Sequence, residues 1–182
     1  MNEEIKPAVK KKPPVKKKAT VEKKQGDSWD SVKGIAIGMG KWSWIIILLE
    51  GIIFIIWGIF YLWWSAFIGA QAEAVGAAGY VAYDLAYYTM YGIMYLIGGI
   101  LALIFSVAFV KPRFSNKWAD EDYDYLLNDV IKIGSTRIPL MLIIGIILEI
   151  FLLGWGGLII IVPLLLLIFM GPKEYKWTEE KK

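Results

Sequence analysis

Apolar residues in this chain fall into long blocks separated by polar segments, with no polar stripe recurring inside the blocks. A surface helix of a soluble protein carries one polar face, so unbroken blocks of this kind belong inside a bilayer. The first, Trp42 to Gly69, is apolar except for Ser43, Glu50 and Ser65. About 20 such residues cross a hydrocarbon core. Trp42 and Trp44 at one end, and Tyr61, Trp63 and Trp64 at the other, suit interfacial aromatic belts.

The second block spans 89–110 and stops at Lys111-Pro112-Arg113. Its Gly92, Gly98 and Gly99 supply small residues for close helix contact. The last block, 138–170, has 33 residues. As one helix it would be about 50 Å long against a core of about 30 Å. Gly154-Trp155-Gly156-Gly157 interrupts it, which predicts a hairpin of two short spans, 138–153 and 158–170, crossing or partly re-entrant. The alternative is one long kinked helix, giving three spans in place of four. Gly154, Gly156 and Gly157 are the packing candidates here.

Between the blocks the pattern changes. Residues 1–26 are rich in Lys and Pro with no apolar periodicity, and are expected to be disordered. Residues 27–40 read as a short helix on the membrane surface, weakened by Gly34, Gly38 and Gly40. The 71–88 loop holds no Lys or Arg. In the 111–137 connection, Tyr123, Leu126, Leu127, Val130 and Ile131 recur at helical spacing, predicting an amphipathic helix over 119–133 with Gly134 as its C-cap. Residues 173–182 form a charged tail.

Charge orients this plan. Residues 1–25 hold nine lysines against three glutamates, a net of +6 in a chain whose total is +3. Basic segments stay on the cytoplasmic side. That places the N-terminal tail and the 111–137 connection inside, the 71–88 loop outside, and the basic C-terminus inside if the crossings are even in number. The expected protein is an all-α integral membrane protein of the cell membrane, a small bundle of four transmembrane helices plus a cytoplasmic amphipathic helix.

Composition narrows the chemistry. The chain has no Cys and no His, so thiol nucleophiles, disulfides and His-based relays are absent. No phosphate-binding loop, nucleophile elbow, dinucleotide fingerprint or metal-binding pattern is present. Neither an enzyme nor a bound cofactor or metal is expected. Lys10, Lys11, Lys12, Lys16, Lys17 and Lys18 are candidates for contact with an anionic inner leaflet, at about 1 kcal/mol each. Nucleic acid is the weaker partner, because the tail has no aromatic residue to stack on bases.

Glu50 and Glu149 are the ionisable residues deep in apolar sequence. A charged side chain at the bilayer centre costs about 2.5–3.5 kcal/mol on insertion scales, so each needs a reason to be there. One reason is a proton or cation site; the other is contact between helices or with a partner. Leu49-Glu50 followed by Trp57-Gly58, and Leu148-Glu149 followed by Trp155-Gly156, also suggest two hairpin repeats, at the cost of a one-residue gap. The leading expectation is a non-catalytic accessory or structural subunit that associates with other membrane subunits or with itself. The alternative is a small transporter or channel subunit using the two glutamates.

Overall fold

The computed structural model describes residues 17–152 and 155–178, with side chains described from Ser28 onward apart from Trp155. The protein is mostly helical. Helix α1 spans Lys17–Ala74, and a short 3-10 turn at Ala78–Tyr80 leads into α2, Ala82–Phe105. A π-helical stretch, Ser106–Ser115, and α3, Asn116–Ala119, continue α2 in one helical run. The short α4, Tyr123–Asn128, precedes a hairpin of β1, Val130–Ile133, and β2, Thr136–Pro139. Helices α5, Leu140–Leu152, and α6, Trp155–Met170, follow.

Two of these runs, Ser28–Ala74 and Ala82–Ala119, are long and apolar enough to cross a membrane, each with a mean hydropathy of 2.6 over its best window. Only 17% and 28% of those windows are buried within the protein, so both helices present large apolar side chains outward.

α1 and α2 form an antiparallel pair along a seam of small residues. Gly51, Gly58, Ser65 and Ala72 recur every seventh position on α1, and Gly92 and Gly99 on α2 lead in the same register to Ser106. A Cβ on Gly51 would lie 3.0 Å from Gly99 O, and one on Gly58 2.9 Å from Gly92 O. The backbones are therefore in direct contact, and hydroxyls fill the rest of the seam. Ser65 Oγ meets Thr89 Oγ1 at 2.8 Å, Ser43 Oγ meets Ser115 Oγ at 2.8 Å, and Ser106 Oγ donates to Trp44 O at 2.6 Å. Seven-residue spacing of small residues gives the shallow crossing of a left-handed pair.

Several expectations for the polar segments are corrected. Residues 17–26, expected to be disordered, are helical: no proline follows Pro14 until Pro112, and Lys, Ala and Glu are good helix formers. The expected surface helix over 27–40 is an unbroken part of α1, and its Trp29 and Ala36 are buried in the base of the bundle. Lys111-Pro112-Arg113 does not stop the second helix. The run widens to π geometry around Pro112, with Asn116 N–H donating to Lys111 O, and a π turn relieves the lost donor and the ring clash. The sixteen N-terminal residues and 179–182 lie outside the described residues.

The amphipathic helix expected over 119–133 is instead cut into pieces. Glu121 adopts φ 52°, Asp122 N–H donates to Lys117 O and Glu121 N–H to Trp118 O, which closes α3 in a Schellman motif. Asp122 then caps α4 through Oδ1 and Tyr125 N–H, 3.1 Å. Beyond Asn128, the β-branched Val130, Ile131, Ile133, Thr136 and Ile138 pair as strands about a two-residue Gly134–Ser135 turn. Gly134, at φ 63°, is the turn residue and not a helix cap. The C-terminal segment joins this hairpin: Arg137 N–H donates to Trp177 O, Thr136 bridges Thr178, and Tyr175 OH donates to Arg137 O.

One end of the molecule is thus a folded basic base. Trp118 is fully buried against Phe114, Trp29 and Tyr123, and a Cβ on Gly40 would collide with its indole. Lys33 pairs with Glu121 at 2.6 Å and Lys173 with Asp124 at 2.5 Å. The Lys33 ammonium, then the Tyr123 hydroxyl, hold the Glu121 carboxyl below the usual glutamate range. Lys117 does the same for Asp122, helped by the Tyr125 N–H.

α5 and α6 resolve the difficult last block. Gly145 lies against Ile161 and Gly157, and Glu149 against Gly157, so α6 runs back antiparallel to α5. A single long kinked helix does not occur. The proposed repeat fares no better: Trp57-Gly58 sits inside unbroken α1, whereas Trp155-Gly156 starts a helix after the reversal. At 13 and 16 residues, the two helices are roughly 20 and 24 Å long.

Candidate functional site

The tip of the α5–α6 hairpin stops partway along the α1–α2 pair. Gly98 of α2 meets Phe151 O, 2.7 Å from where its Cβ would be, and Glu50 of α1 meets Gly156. α1 continues for 24 residues past Glu50 to Ala74, about 36 Å. The hairpin therefore covers only the half of the pair nearer the basic base.

Both glutamates singled out in the sequence arrive at this tip. Glu50 follows α1's turn away from Gly51, which faces α2, and points to α6; Oε2 fills the space a Cβ on Gly156 would need. Glu149 leaves α5 toward the next residue: a Cβ on Gly157 would lie 2.6 Å from Glu149 Cβ and 2.7 Å from its Oε2. The two side chains thus reach consecutive residues of α6, Glu50 at Gly156 and Glu149 at Gly157. Both Oε2 atoms are shut off from solvent, and Glu149 Oε2 has no hydrogen-bond partner among the described residues.

The location has a definite electrostatic character. The first N–H groups of a helix have no partner within it, and with the helix dipole they make its start positive. α6 starts at Trp155, one residue before the glycines that touch the carboxyls. Glycine is required there because only a missing side chain lets a carboxyl approach the backbone so closely. The field favours negative charge, while burial opposes it.

Other predicted contact residues fall as follows. Gly92 packs on Leu62 and Gly99 on Gly51 O and Ile55, so both serve the α1–α2 seam. Gly98 receives the hairpin tip, and Gly156 and Gly157 receive the carboxyls. Gly154 lies outside the described residues, as do Lys10, Lys11, Lys12 and Lys16 and the side chains of Lys17 and Lys18. Among the described residues no three acidic side chains come together as a metal site.

Sequence reasoning missed two features. Gly51 and Gly58, the α1 half of the seam, were legible in the seven-residue spacing they share with Gly92 and Gly99. The second is an aromatic groove beyond the hairpin tip. Phe54, Trp57 and Tyr61 follow Glu50 at intervals of four, seven and eleven, so they lie on its face of α1. With Ile53 and Tyr95 they line an open cavity of about 240 Å³. Phe54 and Tyr61 stand edge-on to Tyr95, at centroid distances of 4.9 and 5.4 Å. Tyr95 ends a ladder with Tyr91 and Tyr87 that climbs α2 toward the end away from the base.

Comparison with protein-family models, curated proteins and solved structures finds no match to this chain.

Proposed function

We propose that this chain is a non-catalytic, multi-pass membrane protein in which Glu50 and Glu149 form one intramembrane proton- or cation-binding site, as in a small transporter or channel subunit. The supporting observation is that two half-buried glutamates, each with one carboxyl oxygen shut off from solvent, reach the consecutive glycines at the start of α6. Either glutamate alone is explicable as a hydrogen bond between helices. Two against consecutive residues of one helix bring negative charge into apolar surroundings, where a cation or a bound proton would offset its cost.

In this reading α1 and α2 cross the bilayer completely and α5–α6 is a re-entrant hairpin entering from the cytoplasmic side. Support comes from the lengths of α5 and α6, both short of a core of about 30 Å. It comes also from the basic residues: Lys33, Lys41, Lys111, Arg113 and Lys117 cluster toward one end, and none lies between 42 and 110. Both termini are then cytoplasmic, because two crossings and a re-entrant hairpin return the chain to the side where it began. The exposed Ile46, Leu49, Ile56, Ile93, Ile97 and Ile104 face lipid.

The test is reconstitution in liposomes under an imposed proton or monovalent-cation gradient. Flux through the wild type should fall at least about tenfold in Glu50→Gln and in Glu149→Gln, as for loss of an essential charged group. A wild type without flux sinks the reading.

A second reading, an accessory subunit of a membrane complex, is favoured by the contact of both side chains with the first turn of α6, which serves equally to hold α1, α5 and α6 together. It expects a stoichiometric partner after purification from the native membrane in mild detergent, retained by the double Gln variant because Gln also accepts from backbone N–H groups.

A further inference from the structure

We infer that Lys41 and Lys111 hold the headgroup phosphate of one anionic phospholipid at the cytoplasmic boundary of the α1–α2 pair, an inference that rests on the membrane reading above and not on the carboxyl site. Lys41 is the last basic residue before the apolar run of α1, and Lys111 is the first after that of α2. The seam brings the two to one level: Trp44 N–H donates to Ser115 Oγ, and Ser106 Oγ donates to Trp44 O. Lys41 lies three residues from Trp44 and so on its face of α1. The Lys111 ammonium lies over the Trp44 ring, 4.3 Å from its centroid, and that of Lys41 over Trp42, at 5.8 Å. Lys111 thus reaches across the seam to the face on which Lys41 stands.

Charge selects the ligand. Lys33, Arg113, Lys117 and Lys173 each pair with a carboxylate in the base. Lys41 and Lys111 are exposed and sit over indoles instead. A ring face attracts an ammonium but accepts none of its three N–H donors fully, which leaves them for an anion. Toward the membrane the adjoining surface is apolar: Trp42, Ile46, Leu49 and Ile53 are exposed at intervals of four, three and four along α1. Inorganic phosphate would meet the ammoniums but gains nothing from this stripe. A zwitterionic lipid fits the stripe but brings its own cation to the lysines. An anionic phospholipid matches both parts, with its phosphate at the lysines and a tail along the stripe. Trp42 and Trp44 stand at the headgroup level, where indoles are favoured.

Native mass spectrometry of the full chain in detergent, titrated with phosphatidylglycerol or with phosphatidylcholine of the same tails, reads the affinity of the first lipid bound. The wild type should prefer phosphatidylglycerol, and that affinity should weaken about fivefold in Lys41→Gln and about fivefold in Lys111→Gln. Lys41→Arg and Lys111→Arg, which keep the charge, should retain it. Both side chains are exposed, so these variants leave the packed seam intact. Lys10→Gln, Lys11→Gln and Lys12→Gln combined in one chain separate this site from general attraction to the N-terminal tail, and should leave the first lipid's affinity unchanged. Equal affinity for the two lipids, wild-type binding in the Lys41→Gln and Lys111→Gln double variant, or loss of preference in the tail variant overturns the inference. Displacement by equimolar inorganic phosphate overturns it too, since the site would then read phosphate without tails. In each of these cases a chain that inserts fully into vesicles of the two lipids leaves the membrane reading standing; a chain that does not insert removes both.

Discussion

Glu50 Oε2 lies in the space that any side chain at Gly156 would fill, so α1 and α6 meet there through a carboxyl against bare backbone. The contact makes position 156 intolerant in a way its helical conformation alone does not explain. Gly156→Ala should destabilise by about 1–3 kcal/mol, the usual cost of overpacking. Gly38→Ala is the matched control, because nothing lies within 4 Å of its Cβ position and the helix gains about 0.5–1 kcal/mol from losing a glycine. Thermal denaturation of both variants in one detergent should move the midpoint in opposite directions.

The α1–α2 register is open to a direct chemical check, since the chain has no cysteine of its own. Ser65 and Thr89 place their hydroxyls 2.8 Å apart, as do Ser43 and Ser115. Ser65→Cys with Thr89→Cys, and separately Ser43→Cys with Ser115→Cys, should each form an intramolecular disulfide on mild oxidation, visible as a shift on non-reducing gels. Pairing Ser65→Cys with Ser115→Cys should not.

Trp118 is the largest fully buried side chain of the base. Trp118→Ala should cost about 3–5 kcal/mol, since the surrounding rings cannot collapse into the space. Protease sensitivity in the 120–139 connection should rise in parallel.

Acid should loosen the same base. The carboxyls of Glu121 and Asp122 titrate below their ordinary values of 4.5 and 3.8, held down first by Lys33 and Lys117 respectively. A depressed folded-state pKa contributes stability that is present above the unfolded value and lost as pH falls through the folded one. Stability should therefore decline with pH below about 4.5, and Glu121→Gln should remove part of that dependence. Both groups are exposed, so the effect is small and shrinks with added salt. Melting temperatures across pH 3–6 at low and high ionic strength would check it; a Glu121→Gln profile parallel to the wild type would contradict it.

Legibility varied with the range of the interaction. The apolar blocks, the break at Gly154–Gly157 and the two glutamates could be read from composition and spacing, because hydropathy and charge are properties of single residues. The 119–133 segment could not: its apolar positions fit helical spacing, but Glu121 in the left-handed region and the Gly134–Ser135 turn divide it. A Gly-Ser pair between β-branched runs was the available hairpin signal, and helical periodicity masked it. The groove was missed because its aromatic residues matter only where a covering helix ends.

Long apolar helices, a basic end and an end without basic residues, and two carboxyls that need a reason to be in apolar surroundings all follow from residue types and their order along the chain. Transfer free energies of individual side chains suffice for that. Packing in three dimensions chose the hairpin over the long kinked helix for the last block, brought its tip to α1 at Glu50, and set the two glutamates against consecutive glycines. Those facts follow from the close approach of backbones at Gly98, Gly156 and Gly157, and close approach depends on which helices are neighbours.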